Sequence, residues 1–354
     1  MNQIKITGSG SYIPTIVQKN DAFLEQSFVE RDGSAFTTTT AEIIDKFKAI
    51  TGIEERKYAP SELNSSDLAT IASEKAIADA QVDPETLDYI ILAHNFGDVK
   101  SSNRLVDTLP SLASRVKANL NIKNPNCVAY DLLFGCPGWV EGLIQAQAFI
   151  KAGMAQKCLV IGADTLSRVY DLEDRDSMIY ADGAGAVIVE NSQEAGGILA
   201  HATQTFTAEG EADFIHFGKG YNVNANGQEQ YIKMQGRKVY EFAITNVPLA
   251  MQACFDKTEQ PIEKLKKIFI HQANLKMDEA IVKRFYRRYK MSVPEDVLPM
   301  NIQTCGNSSV ATVPTLFDMV KQSQYQGHEL HAGDLILFAS VGAGMNINAI
   351  VYQV

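Results

Sequence analysis

One order of local signals occurs twice along the 354 residues, and it restricts the folds open to this chain more than any other feature. In the first half a helical segment leads into PETLDYIILAHN (84–95), followed by KCLVIGAD (157–164) and DGAGAVIVE (182–190). In the second half a helical segment leads into PIEKLKKIFIHQAN (261–274), followed by GDLILFASVGAG (333–344) and NAIVYQV (348–354). Helix, strand, strand and a Gly-Ala-Gly turn before a strand recur in the same order, as in a repeated unit. The apolar runs at 89–93, 158–162, 186–189, 268–270, 335–339 and 349–352 read as strands of largely buried sheets. Segment 67–80 places Leu68, Ile71, Ala72 and Ala76 on one helical face, and 237–254 reads as a second helix. The pattern predicts an α/β fold of two similar halves, 1–190 and 191–354, divided at the polar stretch 191–197. Two such halves packed about a pseudo-twofold bring corresponding strand ends together, where α/β folds usually place their chemistry.

Composition removes several classes. A chain that is 45% apolar can bury a large core, so disorder is not the default. A net charge of −10 argues against nonspecific nucleic-acid binding, which rests on Lys and Arg meeting phosphates. The start MNQIKITGSGSYIP lacks a signal-peptide pattern, and no apolar run reaches the ~18 residues of a membrane span, so a cytoplasmic location is expected. Cys127, Cys136, Cys158, Cys254 and Cys305 show no paired short spacing, so neither a disulfide framework nor a metal site is suggested, and no cofactor is implied.

The segment CVAYDLLFGCPGWVEGLIQAQAFIKAG (127–153) reads as strand, tight turn and helix, with Cys136 in the turn. Pro137 suits the first helical position, where its missing N–H costs nothing. The Cys136 sulfur is thereby expected at a helix amino terminus, where free N–H groups and the dipole favour thiolate over thiol. His271 follows the strand KIFI at its carboxyl end. In CGNSSVATVP (305–314), Gly306 frees the backbone and Asn307 offers an amide before a helix starting near Ser309. Each feature alone has a plain reading: a buried thiol, a structural histidine, a cap. Together they describe one reaction. An activated cysteine takes an acyl group from a thioester. A neutral His and an Asn amide then both donate to one carbonyl oxygen, holding the enolate left when a malonyl-type extender loses carbon dioxide.

GCPGW, IHQAN and CGNSSVATVP, in this order, resemble the Cys, His and Asn motifs of the β-ketoacyl-acyl-carrier-protein synthase III family, within the thiolase-fold superfamily. The resemblance extends to ITGSGSYIP, TGIEERKY (51–58), DRDSMIYADGAGAVIVE (174–190), KMQGRKVYEFA (233–243) and ASVGAG (339–344). It implies a five-layer αβαβα thiolase-like fold and a homodimer. It further implies that Cys136 is the acylated nucleophile, that His271 and Asn307 assist decarboxylation and condensation, and that the backbone N–H groups of Cys136 and Gly344 form the oxyanion hole.

Departures from the family pattern bear on the substrate. AEIIDKFKAITGI (41–53) lacks the Trp that helps hold the adenine of coenzyme A in typical members, which puts coenzyme A in doubt as donor. A Phe lining the neighbouring subunit's acyl pocket in short-chain members is Leu109 here, after a longer stretch 95–108. These differences favour a medium or long acyl chain in a secondary-metabolite pathway, such as dialkylresorcinol-type synthesis. The alternative is the initiating synthase of fatty-acid biosynthesis, using a short acyl-coenzyme A. The basic run after IHQAN includes Lys276, Lys283 and Arg284, where the family resemblance implies docking of an acidic acyl carrier protein. A Cys-His-Asn hydrolase and a noncatalytic scaffold are the rival classes. Pro137 directly after the cysteine opposes the first, and retention of all three polar residues opposes the second.

Overall fold

A computed structural model describes residues 3–221 and 230–354. The first sheet contains β1 (Gln3–Tyr12), β2 (Tyr89–Ala93), β3 (Val128–Leu132), β4 (Lys157–Thr165) and β5 (Asp182–Ser192), in the order β1-β5-β4-β2-β3. The second contains β6 (Gly197–Thr205), β7 (Leu265–Ile270), β8 (Leu335–Gly342) and β9 (Asn346–Gln353), in the order β6-β9-β8-β7. β2 runs parallel to β3 and β4, and β7 parallel to β8, while the remaining neighbours are antiparallel. Strands β1, β5, β4 and β2 therefore match β6, β9, β8 and β7 in position and direction. β3, which leads to Cys136, is the extra strand of the first sheet.

Side-chain alternation distributes each strand between two cores. In β2, Ile90 and Leu92 face one cluster and Ile91 the other. In β8, Leu335, Leu337 and Ala339 face one cluster and Ile336 and Phe338 the other. The central cluster joins Ile91, Val160 and Val187 of the first sheet to Phe269, Phe338 and Ile350 of the second. Helices α3 (Gly138–Lys151) and α6 (Thr312–Lys321) fill this space through Trp139, Leu143, Leu316 and Phe317. The outer face of the first sheet is covered by α1 (Ser65–Ala80) and α2 (Leu112–Asn119), and that of the second by α4 (Gly236–Asp256) and α5 (Leu275–Arg288). The result is the expected αβαβα order of five layers.

Several elements exceed their sequence-predicted ranges, while β2 coincides with its own. Helix α1 begins ahead of 67 because Asp67 Oδ2 accepts from the Asn64 N–H at 2.8 Å, closing its first turn. The stretch 95–108 is not open loop. It carries a short ladder, Asp98–Val99 with Val106–Asp107, and buried Asp98 is fixed by Arg115 Nη1 at 2.8 Å. Among the described residues no helix is long and apolar enough to cross a membrane, and no group of three or more His, Cys, Asp or Glu could hold a metal ion.

Candidate active site

Cys136 sits between the end of β3 and the start of α3. Pro137, at φ −68° and ψ −3°, caps the helix, so helical structure begins one residue later than expected. The turn after β8 lies directly against this point. A Cβ on Gly342 would meet Cys136 N at 2.6 Å and Cys136 Cβ at 2.9 Å, a spacing only glycine permits. Asn346 Nδ2 donates to Ala343 O at 2.8 Å and to Phe134 O at 3.3 Å, tying the turn to the cysteine segment. Gly344 belongs to this turn, at φ 138°.

One cavity of about 230 Å³ gathers Cys136 from the first half and His271 and Asn307 from the second. Phe96, Leu166, Ile179, Ile232 and Met234 give it an apolar wall. Asn307 is held by its backbone between Ile179 O and Ala181 N, at 2.9 and 2.8 Å. Its Oδ1 accepts from the Ser309 N–H at 2.8 Å, which leaves the Nδ2 donor available to the cavity. Gly306 makes this turn possible: at φ 67° its missing Cβ would approach Arg56 Cβ to 2.6 Å.

His271 continues the β7–β8 ladder through its N–H to Ala339 O at 2.9 Å, and is 2% exposed. Burial pulls its imidazole down to about 4, so it is neutral at ordinary pH. Nδ1 lies 2.7 Å from Thr312 Oγ1, whose single proton goes either to Ser309 O at 3.0 Å or to Nδ1. When the threonine proton goes to Nδ1, the ring carries its own proton on Nε2 and can donate it into the cavity.

The expected thiolate is corrected. Burial, with the Asp164 carboxylate opposing negative charge, pushes the Cys136 thiol up to about 11, while a hydrogen bond from Ser309 pulls the other way. Cys136 is half-buried at the cavity, and desolvation by its apolar wall opposes the helix start and favours the thiol.

Residues 130–206 match the family model of 3-oxoacyl-[acyl-carrier-protein] synthase III, and 255–354 match its C-terminal model. Beta-ketoacyl-[acyl-carrier-protein] synthase III of Prochlorococcus marinus (strain NATL2A) is 30% identical over 357 residues, spanning 99% of this chain and 95% of that protein. The chain belongs to the 3-oxoacyl-[acyl-carrier-protein] synthase III family. The synthase III of Aquifex aeolicus (strain VF5) is 31% identical over 351 residues, covering 99% of each chain. A crystal structure of an Aquifex aeolicus VF5 synthase III superposes with a TM-score of 0.80 at 29% identity, over 100% of both chains. The priming β-ketosynthase of the R1128 polyketide pathway, 23% identical over 99% of this chain and 96% of that one, has a TM-score of 0.81, which shows the shared fold. This member is an acyltransferase with the thiolase fold.

In this synthase several polar residues stand at the cavity that motif reading did not single out. Asn95, at the carboxyl end of β2, and Ser309 line it beside Cys136, with Asp164 behind them. The repeat carried the signal for Asn95, because AHN ends β2 as IHQ follows β7. His94 thus holds the place in the first half that His271 holds in the second. Its Nε2 lies 3.0 Å from Asp131 Oδ2, and its Nδ1 accepts from the Gly97 N–H at 2.9 Å. Leu109 is 85% exposed and stands outside the cavity of its own chain. Lys276, Lys283 and Arg284 are exposed along α5, with Arg284 Nη1 donating to Ile244 O at 2.9 Å.

Proposed function

We propose that this synthase loads a short acyl group onto Cys136 and condenses it with a malonyl-type thioester on an acyl carrier protein, the initiating step of fatty-acid synthesis. The observation carrying this reading is one apolar cavity in which a thiol from one half meets a neutral imidazole and a free amide donor from the other. The Cys136 sulfur attacks the donor carbonyl, the donor C–S bond breaks, and the thiol proton ends on the departing thiol. The Cys136 and Gly344 N–H groups hold the oxyanion meanwhile. In the second stage carbon dioxide leaves the extender and its enolate oxygen takes hydrogen bonds from His271 Nε2 and Asn307 Nδ2. The enolate carbon then attacks the Cys136 thioester, a C–C bond forms, and the sulfur departs with the electron pair. The relatives support this over the secondary-metabolite role that the sequence alone favoured, since the curated matches are synthase III enzymes along their whole length.

A longer acyl chain is the second reading, and Leu109 favours it: in a homodimer its exposed, flexible side chain would line the partner's pocket where short-chain members place Phe. Intact-protein mass spectrometry after incubation with acyl-coenzyme A and acyl-carrier thioesters of graded length separates the two. The initiating reading expects a short acyl mass from coenzyme A, whereas loading only by medium or long carrier-bound chains would reject it.

The carrier is proposed to dock on the exposed basic face of α5, at Lys276, Lys283 and Arg284. In a chain of net −10 this local positive surface complements an acidic partner. Reversing Lys283 and Arg284 to Glu is expected to raise KM for the carrier-bound substrate about tenfold or more and to leave a small thioester analogue unaffected. Equal effects on both substrates would reject this surface.

A further inference from the structure

Behind the triad runs a chain of polar contacts that neither the acyl transfer nor the enolate contacts use. Asp164 is the last but one residue of β4 and is 1% exposed. Its Oδ1 accepts from the Asn95 N–H at 2.9 Å and its Oδ2 from Asn95 Nδ2 at 2.6 Å. The second hydrogen of that amide goes to Ser309 Oγ at 2.8 Å, and Ser309 Oγ lies 3.3 Å from Cys136 Sγ. Direction follows from counting protons. The carboxylate fixes the Asn95 amide with its nitrogen inward, both amide hydrogens are committed, and the Ser309 oxygen is therefore an acceptor toward Asn95. Its single proton has two acceptors in reach, the Asp164 carboxylate and Cys136 Sγ at 3.3 Å, and the proposal assigns it to the sulfur.

The backbone holds Ser309 to this task. It is 1% exposed and sits at φ 55°, a left-handed conformation uncommon for a residue with a Cβ. Its N–H is bound by Asn307 Oδ1 at 2.8 Å and its carbonyl lies 3.0 Å from Thr312 Oγ1, the partner of His271. Ser309 thus links the nucleophile to both proposed enolate donors. We propose that Asp164, Asn95 and Ser309 form a directed hydrogen-bond relay that aims a hydroxyl at Cys136 and stabilises negative charge on its sulfur. The relay rests on Cys136 being the nucleophile. It acts twice in the cycle: when the thiol loses its proton to attack the donor, and when the sulfur leaves the condensed product. Ser309 touches the reacting atom, whereas Asn95 and Asp164 position it. The other titratable groups near the sulfur are His271 beyond β7 and Tyr180 beside Asn307; Asp164 as an anion opposes the thiolate, so the relay delivers its polarity through a neutral amide and hydroxyl.

The test is the pH profile of Cys136 alkylation by iodoacetamide, followed by intact mass with Cys136→Ala as the background for the other thiols. It needs no acyl substrate. Ser309→Ala, and Ser309→Gly, which suits the positive φ, are expected to slow alkylation about tenfold below the midpoint and to raise the midpoint by about one pH unit, as for a lost hydrogen bond to a charged group. Asn95→Ala is expected to shift the profile in the same direction, and the Asn95→Ala/Ser309→Ala double variant to shift it no further than Ser309→Ala, because the two act in series. An unchanged profile in folded Ser309 variants, or in Asn95→Ala if those do not fold, would overturn the relay, and would mean that the serine proton points to Asp164. Additive shifts would overturn the series arrangement. If Cys136 alkylates with the expected profile yet no thioester acylates it, the proposed function fails and the relay stands.

Discussion

Cys136→Ala is expected to abolish acyl-enzyme formation and to lower turnover by roughly 10⁴-fold or more, the scale seen when a covalent nucleophile is removed. The adduct mass should vanish with every thioester that loads the native chain, while thermal unfolding stays close to native. An acyl adduct surviving on the alanine variant would place the nucleophile elsewhere. The native thiol is held up to about 11, so its anion is a minor species at neutral pH. Loading by a small, unactivated thioester is therefore expected to climb about tenfold per pH unit through the neutral range, levelling only near that value. A plateau below about pH 8 would mean that the sulfur is already ionised in the resting chain.

The second large effect separates the two half-reactions. His271→Ala and Asn307→Ala are each expected to leave acylation of Cys136 intact and to slow condensation by roughly 10²–10³-fold, the loss of one oxyanion donor. Single-turnover experiments that load first and add extender second read the steps apart. Failure of both variants to acylate would assign these residues to the first step. The pH dependence carries a further sign. Burial lowers the His271 value to about 4, so the neutral donor persists until the pH falls through that value. The condensation step should thus be flat with respect to histidine from about pH 8 down to about pH 5, and a midpoint near the ordinary histidine value of about 6.5 would contradict a neutral donor.

The repeated strand pattern was legible because β2, β4, β7 and β8 are buried on both faces and read as unbroken apolar runs. β1 escaped notice for the opposite reason: in QIKITGSGSY the glycines and serines interrupt the alternation, and they are there because α1 packs closely over that edge of the sheet. The three residues that meet at the cavity, Cys136, His271 and Asn307, were legible as a group because each stands at a strand end or a glycine turn within a phrase. The contacts of Asn95, Ser309 and Asp164 were not, since each is an ordinary polar residue whose neighbours are set by the meeting of the two halves. For Cys136 the helix start alone points to a thiolate, and the pocket around it opposes that charge. A helix amino terminus is a local feature that spacing reveals, whereas the desolvation that outweighs it comes from the apolar wall contributed by distant segments.

His94 and His271 occupy matching corners of the repeat, and their surroundings assign them different work. In the first corner Asp131 and the Gly97 amide consume both ring nitrogens, and the same aspartate receives the Leu112 and Ala113 N–H groups at 2.8 Å, so that imidazole serves as a rivet at the start of α2. In the second corner one nitrogen is spare. A chain with twofold internal likeness should consequently carry a single covalent load, and saturation labelling ought to level off at one equivalent per polypeptide, not two.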